Sequence, residues 1–124
     1  MATDQSMTII NLEAGQDLSS KQYYFVSMAA DGQVDPTGDG LSAEGVLQDA
    51  PSAAGYPASI AIAGITKVVA GAAITRGDLV ASGSAGKAKT ATSGNRVLGI
   101  ALEAATNDGD VISVLLKVQG APNA

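Results

Sequence analysis

An all-β fold follows from three features of the sequence: a small barrel- or sandwich-like domain built from two pseudo-repeated β units, with an extended N-terminal segment. Short runs rich in Val, Ile, Thr and aromatic residues recur between turn signals. With 15 Gly and 4 Pro in 124 residues, the chain is interrupted too often for long helices. The second half also repeats the first at a constant spacing.

In chain order, strands are expected at residues 7–12, 22–28, 45–48, 58–63, 66–69, 79–81, 87–91, 97–102 and 111–118. Ser59-Ile60-Ala61-Ile62-Ala63 alternates large and small side chains, as a strand with two unlike faces would. Turn chemistry sits at Asp31-Gly32, along Asp35-Pro36-Thr37-Gly38-Asp39-Gly40, at Ser82-Gly83-Ser84-Ala85-Gly86 and at Asn107-Asp108-Gly109. Around residue 24, strand alternation turns Tyr23 and Phe25 toward the core and Tyr24 outward, which makes Tyr24 a candidate contact residue.

The repeat pairs Ala14-Gly15 with Ala70-Gly71, Val26 with Val80, Gly32 with Gly86, and Gly40 with Gly94. It continues with Gly45-Val46 and Gly99-Ile100, Asp49-Ala50 and Glu103-Ala104, Gly55 and Gly109, and Ser59-Ile60 and Ser113-Val114. From Val26 onward the offset is 54; at Ala14 it is 56, so the first copy carries two extra residues near Lys21 to Tyr23. The organisation expected is an N-terminal arm over 1–12, one β domain over 13–118 with pseudo-repeats at about 14–63 and 70–118, and a C-terminal tail over 119–124. Met1 to Ser6 lacks apolar periodicity, while Met7, Thr8, Ile9 and Ile10 form a good strand that would pair with a sheet edge on a partner. The alternative is that Ile9 and Ile10 belong to the domain's own sheet.

Composition limits the chemistry. The chain has no His and no Cys, which removes the commonest general base, disulfides and thiolate metal sites. A net charge of −5 leaves no basic footprint for nucleic acid. Residues 1–50 hold eight acids against Lys21 alone, a net of −7, whereas residues 51–124 hold six bases and four acids, a net of +2. One half would therefore suit solvent and the other an acidic neighbour. The polar start, Met1-Ala2-Thr3-Asp4-Gln5, is not that of a signal peptide, and no apolar run is long enough for a membrane-spanning helix. With one Phe, three Tyr and no Trp, the core has few large side chains, so stability from copies of itself or from a larger surface is expected.

No nucleophile stands beside a plausible base, and Gly-x-Ser-x-Gly is absent. Asp31, Asp35 and Asp39, spaced four apart ahead of Gly40, are the most metal-like group, but they do not match an EF-hand loop, and no metal or other cofactor is expected. Arg76-Gly77-Asp78 reads more simply as a turn entering a strand than as an adhesion tripeptide.

Four segments carry a family resemblance: residues 14–26, residues 45–51, Gly64-Ile65-Thr66-Lys67-Val68-Val69-Ala70-Gly71, and Arg96-Val97-Leu98-Gly99-Ile100-Ala101-Leu102-Glu103-Ala104-Ala105. The chain resembles tailed-phage capsid decoration (cement) proteins over about residues 8–118. That resemblance implies a β-barrel-like domain, commonly trimeric, on the outer capsid surface of the virion. It would contact major capsid protein through an extended terminal segment, act without catalysis, and bind neither nucleic acid nor membrane. The expected function is to stabilise the shell by bridging major capsid protein subunits, with Met7, Thr8, Ile9, Ile10 and Tyr24 as candidate contacts with capsid or neighbouring subunit. The alternative is a surface-displayed carbohydrate- or receptor-binding module, for which only Tyr23, Tyr24 and Tyr56 offer aromatic groups.

Overall fold

Apolar runs bounded by Gly- and Asp-containing turns become strands in the computed structural model, which describes residues 5–116. The strands are β1 (Gln5–Ala14), β2 (Phe25–Ala30), β3 (Gln33–Pro36), β4 (Gly45–Leu47), β5 (Pro57–Val69), β6 (Leu79–Ser82), β7 (Ala88–Thr90), β8 (Gly99–Ala101) and β9 (Val111–Leu116). They are joined in the order β1-β3-β2-β4-β5-β9-β8-β6-β7, and β1 also pairs with β5. The second pairing closes β1, β3, β2, β4 and β5 into a ring. A parallel bridge from Ala70, just after β5, to Ala88 in β7 brings the other end of the sheet round in the same way. The fold is thus two small barrel-like units that share β5.

The repeat expected from sequence is visible pair by pair. Phe25 and Val26 in β2 face Val46 and Gly45 in β4, and Leu79 and Val80 in β6 face Ile100 and Gly99 in β8. Ile10 faces Ile60, and Thr66 faces Val114. The connecting loops match as well: Leu18 N–H donates to Pro51 O at 2.8 Å, and Ile74 N–H to Ala105 O at 2.9 Å. Tyr24 N–H donates to Lys21 O, as Asp78 N–H does to Thr75 O. These two pairs place the additional residues of the first copy at Ser19 and Ser20, just ahead of Lys21. Gly45 and Gly99 recur for a steric reason. A Cβ on Gly99 would stand 2.5 Å from Leu115 O and 2.7 Å from Val114 Cγ1, and one on Gly45 would meet the equivalent Ala61 O and Ile60 Cγ2.

Several elements differ from the sequence expectation. Residues 58–63 and 66–69 are one strand, β5, continuous through Gly64. Its first half is the last strand of the first unit, and its second half is the first strand of the second. β3 was not expected; its polar, Pro-terminated run hides one apolar residue, Val34. β2 starts at Phe25 rather than at residue 22, because Tyr23 adopts φ 68°. The equivalent position is Gly77, at φ 90°, in a region that favours residues without a Cβ. From Gln5 on, the segment expected as an arm over 1–12 is part of β1, which runs on to Ala14 and pairs antiparallel with β5. Ile10 and Leu12 lean on the first unit's core, which favours that pairing over an outside edge. Residues 1–4, the C-terminal end of the expected last strand and the tail over 119–124 lie outside the described residues.

Each unit has its own core. The first is built on Ala14, Leu18, Val26, Val34, Leu47 and Ile60. The second uses their equivalents Ala70, Ile74, Val80, Ala88, Ala101 and Val114, but also takes in Phe25, Val46 and Ala61 from the first unit. Neighbouring residues of a strand point to opposite faces, so β2, β4 and β5 bury both sides and form a wall between the two cores.

Candidate contact surface

Polar groups of the two units meet at their junction. Phe25 N–H donates to Gly86 O at 2.7 Å, Gly40 N–H to Ser82 O at 2.8 Å, Arg96 N–H to Gly40 O at 3.0 Å and Val69 N–H to Tyr23 O at 3.0 Å. The buried Ser82 Oγ donates to Thr37 O at 3.2 Å. Lys89 and Asp39 form an ion pair at 2.7 Å across the same seam. Backbone groups buried by packing need such partners, and here each unit supplies those of the other.

Tyr23 and Tyr24 belong to this junction. Tyr23 is half-buried against the second core, with Lys67 Nζ 5.7 Å from its ring centre. Tyr24 is also half-buried, with Lys21 Nζ at 5.1 Å and Lys87 Nζ at 6.0 Å from its ring. Lys87 in turn pairs with Asp108 at 2.9 Å, and that hydrogen bond, with the nearby Tyr24, raises the Lys87 pKa. Tyr24 therefore faces away from the core, as strand alternation implies, but lies under lysines rather than standing clear. Phe25 is fully buried. A groove of about 370 Å³ opens beside this cluster, edged by Asp39, Ser84, Lys87, Lys89 and Asp108.

The other candidate contacts lie along β1. Thr8 and Ile9 are exposed, at a shift in register against β5. Ile10 is half-buried on the first core and Met7 on the second, so β1 runs along both units. Outward Thr8 and Ile9 and inward Met7 and Ile10 are thus separate groups, which residue type alone did not distinguish.

Many carboxylates shape turns. Asp110 accepts N–H groups from Thr106 and Asn107, which lowers its pKa, and Asp17 is lowered by its hydrogen bond from Ser19. Asp49 accepts from Ser59 N–H, and Glu44 from Met28 N–H. Arg76-Gly77-Asp78 is a turn, in which Asp78 accepts Thr75 N–H at 3.1 Å and Thr90 Oγ1 at 2.9 Å. Among the described residues, no group of three or more His, Cys, Asp or Glu side chains is placed to hold a metal ion, Asp31, Asp35 and Asp39 included.

An all-β scaffold, with many of its polar groups serving turns and the seam between two units, is the frame of a structural domain. The chain belongs to the phage cement protein family, whose model matches residues 2–117. It is accordingly a structural, capsid-associated protein of the virion, placed at the outside of the capsid. Among solved structures it is similar to the head fiber gp8.5 N base of bacteriophage phi29, with a TM-score of 0.72 and 17% identity over 94% of this chain and 98% of that one. At this identity the likeness is one of fold. No curated protein matches the chain.

Proposed function

We propose that the protein stabilises a phage head by bridging neighbouring major capsid protein subunits as a homotrimer, without catalysis. The observation that carries this is the family match over residues 2–117. The architecture suits the role: clamps across subunit junctions work through many weak contacts repeated by symmetry, and their joint avidity exceeds that of any single contact. The contacts with the shell are assigned to the outward side of β1, Thr8 and Ile9, with Met7 and Ile10 anchoring that strand from within. Tyr24, half-buried beside Lys21 and Lys87, contributes with them.

The test is co-sedimentation with expanded, undecorated heads. The wild-type chain should sediment with heads and saturate at a fixed number of copies per shell. Thr8→Glu with Ile9→Glu should weaken this at least tenfold with an unchanged melting temperature. Absence of wild-type binding would overturn the capsid role for these heads, and full binding by the double variant would overturn the assigned contacts.

A further inference from the structure

The seam between the units joins two different surfaces, so each unit carries one surface used inside the chain and one left over. The first unit offers Tyr23, Phe25, Thr37 and Gly40; the second receives them with Val69, Ser82, Gly86 and Arg96. Several of the unused counterparts are exposed and apolar. Phe25 is 0% exposed, but its equivalent Leu79 is 42% exposed. Across β6, β8 and β9, Leu79 lines up with the half-exposed Ile100 and Leu115, which match Phe25, Val46 and Ala61. On the opposite end, Ser82 is 0% exposed, whereas its equivalent Met28 is 49% exposed. Leu41, 60% exposed, stands where Asn95 packs against Gly40.

The seat itself is duplicated. A groove of about 450 Å³ on the first unit is edged by Asn11, Glu13, Asp31, Gly32 and Pro57. Its counterparts in the second unit include Lys67, Val69 and Gly86, which hold Tyr23 and Phe25. In the first unit the two equivalent backbone groups are bonded to each other, Glu13 N–H to Gly32 O at 2.9 Å, where in the second unit Val69 N–H reaches Tyr23 O and Gly86 O accepts Phe25 N–H, so a guest there would be held by side chains alone. The turn that would lie over this groove carries Gly77 in place of Tyr23 and brings no ring. Charge agrees: exposed Glu13 and Asp31 edge the seat, and exposed Arg76 stands on the turn.

We propose that copies of this chain associate head to tail, with the Thr75-Arg76-Gly77-Asp78-Leu79 turn of one copy seated in the Glu13–Asp31 groove of the next. A contact between unlike surfaces forms a ring when its rotation closes. This deepens the trimer in the function proposed above by naming its interface, and it is read in free protein, apart from any shell. Because the chain has no Cys, single cysteines are unambiguous probes. Met28 and Ala91 match Ser82 and Thr37, which touch across the internal seam. Met28→Cys and Ala91→Cys proteins, treated with a short bis-maleimide, should give a covalent dimer when mixed and none when separate. Arg76→Glu in the Ala91→Cys partner should lower the yield at least tenfold, and Asp31→Arg in the Met28→Cys partner should restore it. No dimer in the mixture, equal dimer from either protein alone, or a yield indifferent to Arg76→Glu would each overturn the interface. Head binding by the same proteins is scored separately: variants that sediment with heads but do not cross-link would remove this interface and leave the capsid role standing.

Discussion

Deleting residues 2–12 distinguishes a strand that holds the domain together from an arm that only reaches outward. Along β1, Ile10 and Leu12 pack half-buried on the first core, and Met7 packs on the second. Full truncation of a buried Leu or Ile costs about 2–5 kcal/mol, so two half-buried ones account for roughly 2–4 kcal/mol. The deletion also removes most of the β1 ladder along β5 and uncovers the Ile60 side of that strand. Of a total stability of about 5–15 kcal/mol, that is a large share. For a domain of this size each kcal/mol moves the melting temperature by about 3–5 °C, so the fall should be about 10 °C or more. Melts followed by far-UV circular dichroism on full-length and truncated protein at equal concentration measure it. A truncated chain that melts within about 2 °C of the full one would refute the reasoning and return residues 5–12 to the status of an arm.

Gly45→Ala and Gly99→Ala should each cost about 1–3 kcal/mol in urea unfolding, since the added Cβ runs into the facing carbonyl and a branched side chain. Gly77→Ala meets nothing within 4 Å and should cost only the conformational penalty of φ 90°, about 1–2 kcal/mol. Asp110→Asn tests the sign of a pH effect. The N–H groups of Thr106 and Asn107 lower the folded-state pKa of Asp110, so its contribution is present above about pH 4, the unfolded value, and is lost as pH falls through the folded one. The variant should melt below wild type at neutral pH, and the gap should close as the pH falls through the lowered folded-state pKa; a gap that does not narrow in acid would show that the carboxylate charge is not the cause.

Much of this architecture was legible because the repeat supplied what a single strand cannot: the constant offset between Val26 and Val114 turned similar turns and glycines into equivalent pairings. The rest depended on partners distant in the chain. β3 carries no strand signal of its own, because Gln33-Val34-Asp35-Pro36 has one inward apolar residue and ends in Pro. Ile9 and Ile10 read as a strand, but nothing local says whether its partner is β5 or another protein. Alternation turns Tyr24 outward, whereas of the lysines over its ring Lys21 comes from its own turn and Lys87 reaches it only across the seam. The empty groove near Glu13 had no sequence signal; it is recognised because its counterpart is filled.

The sharing of β5 sets an order of assembly. Synthesis from the N-terminus completes the first barrel once residue 63 or so has emerged, and domains that can fold early tend to do so. The second half of β5 is then held in place at one end while β9, which must pair with Gly64 through Val69, is still unmade. The first barrel therefore acts as a template that presents a ready strand to the rest of the chain, lowering the entropy of closing the second. In reverse, pulling β9 away opens the second barrel and leaves the first closed, whereas pulling β5 out breaches both at once.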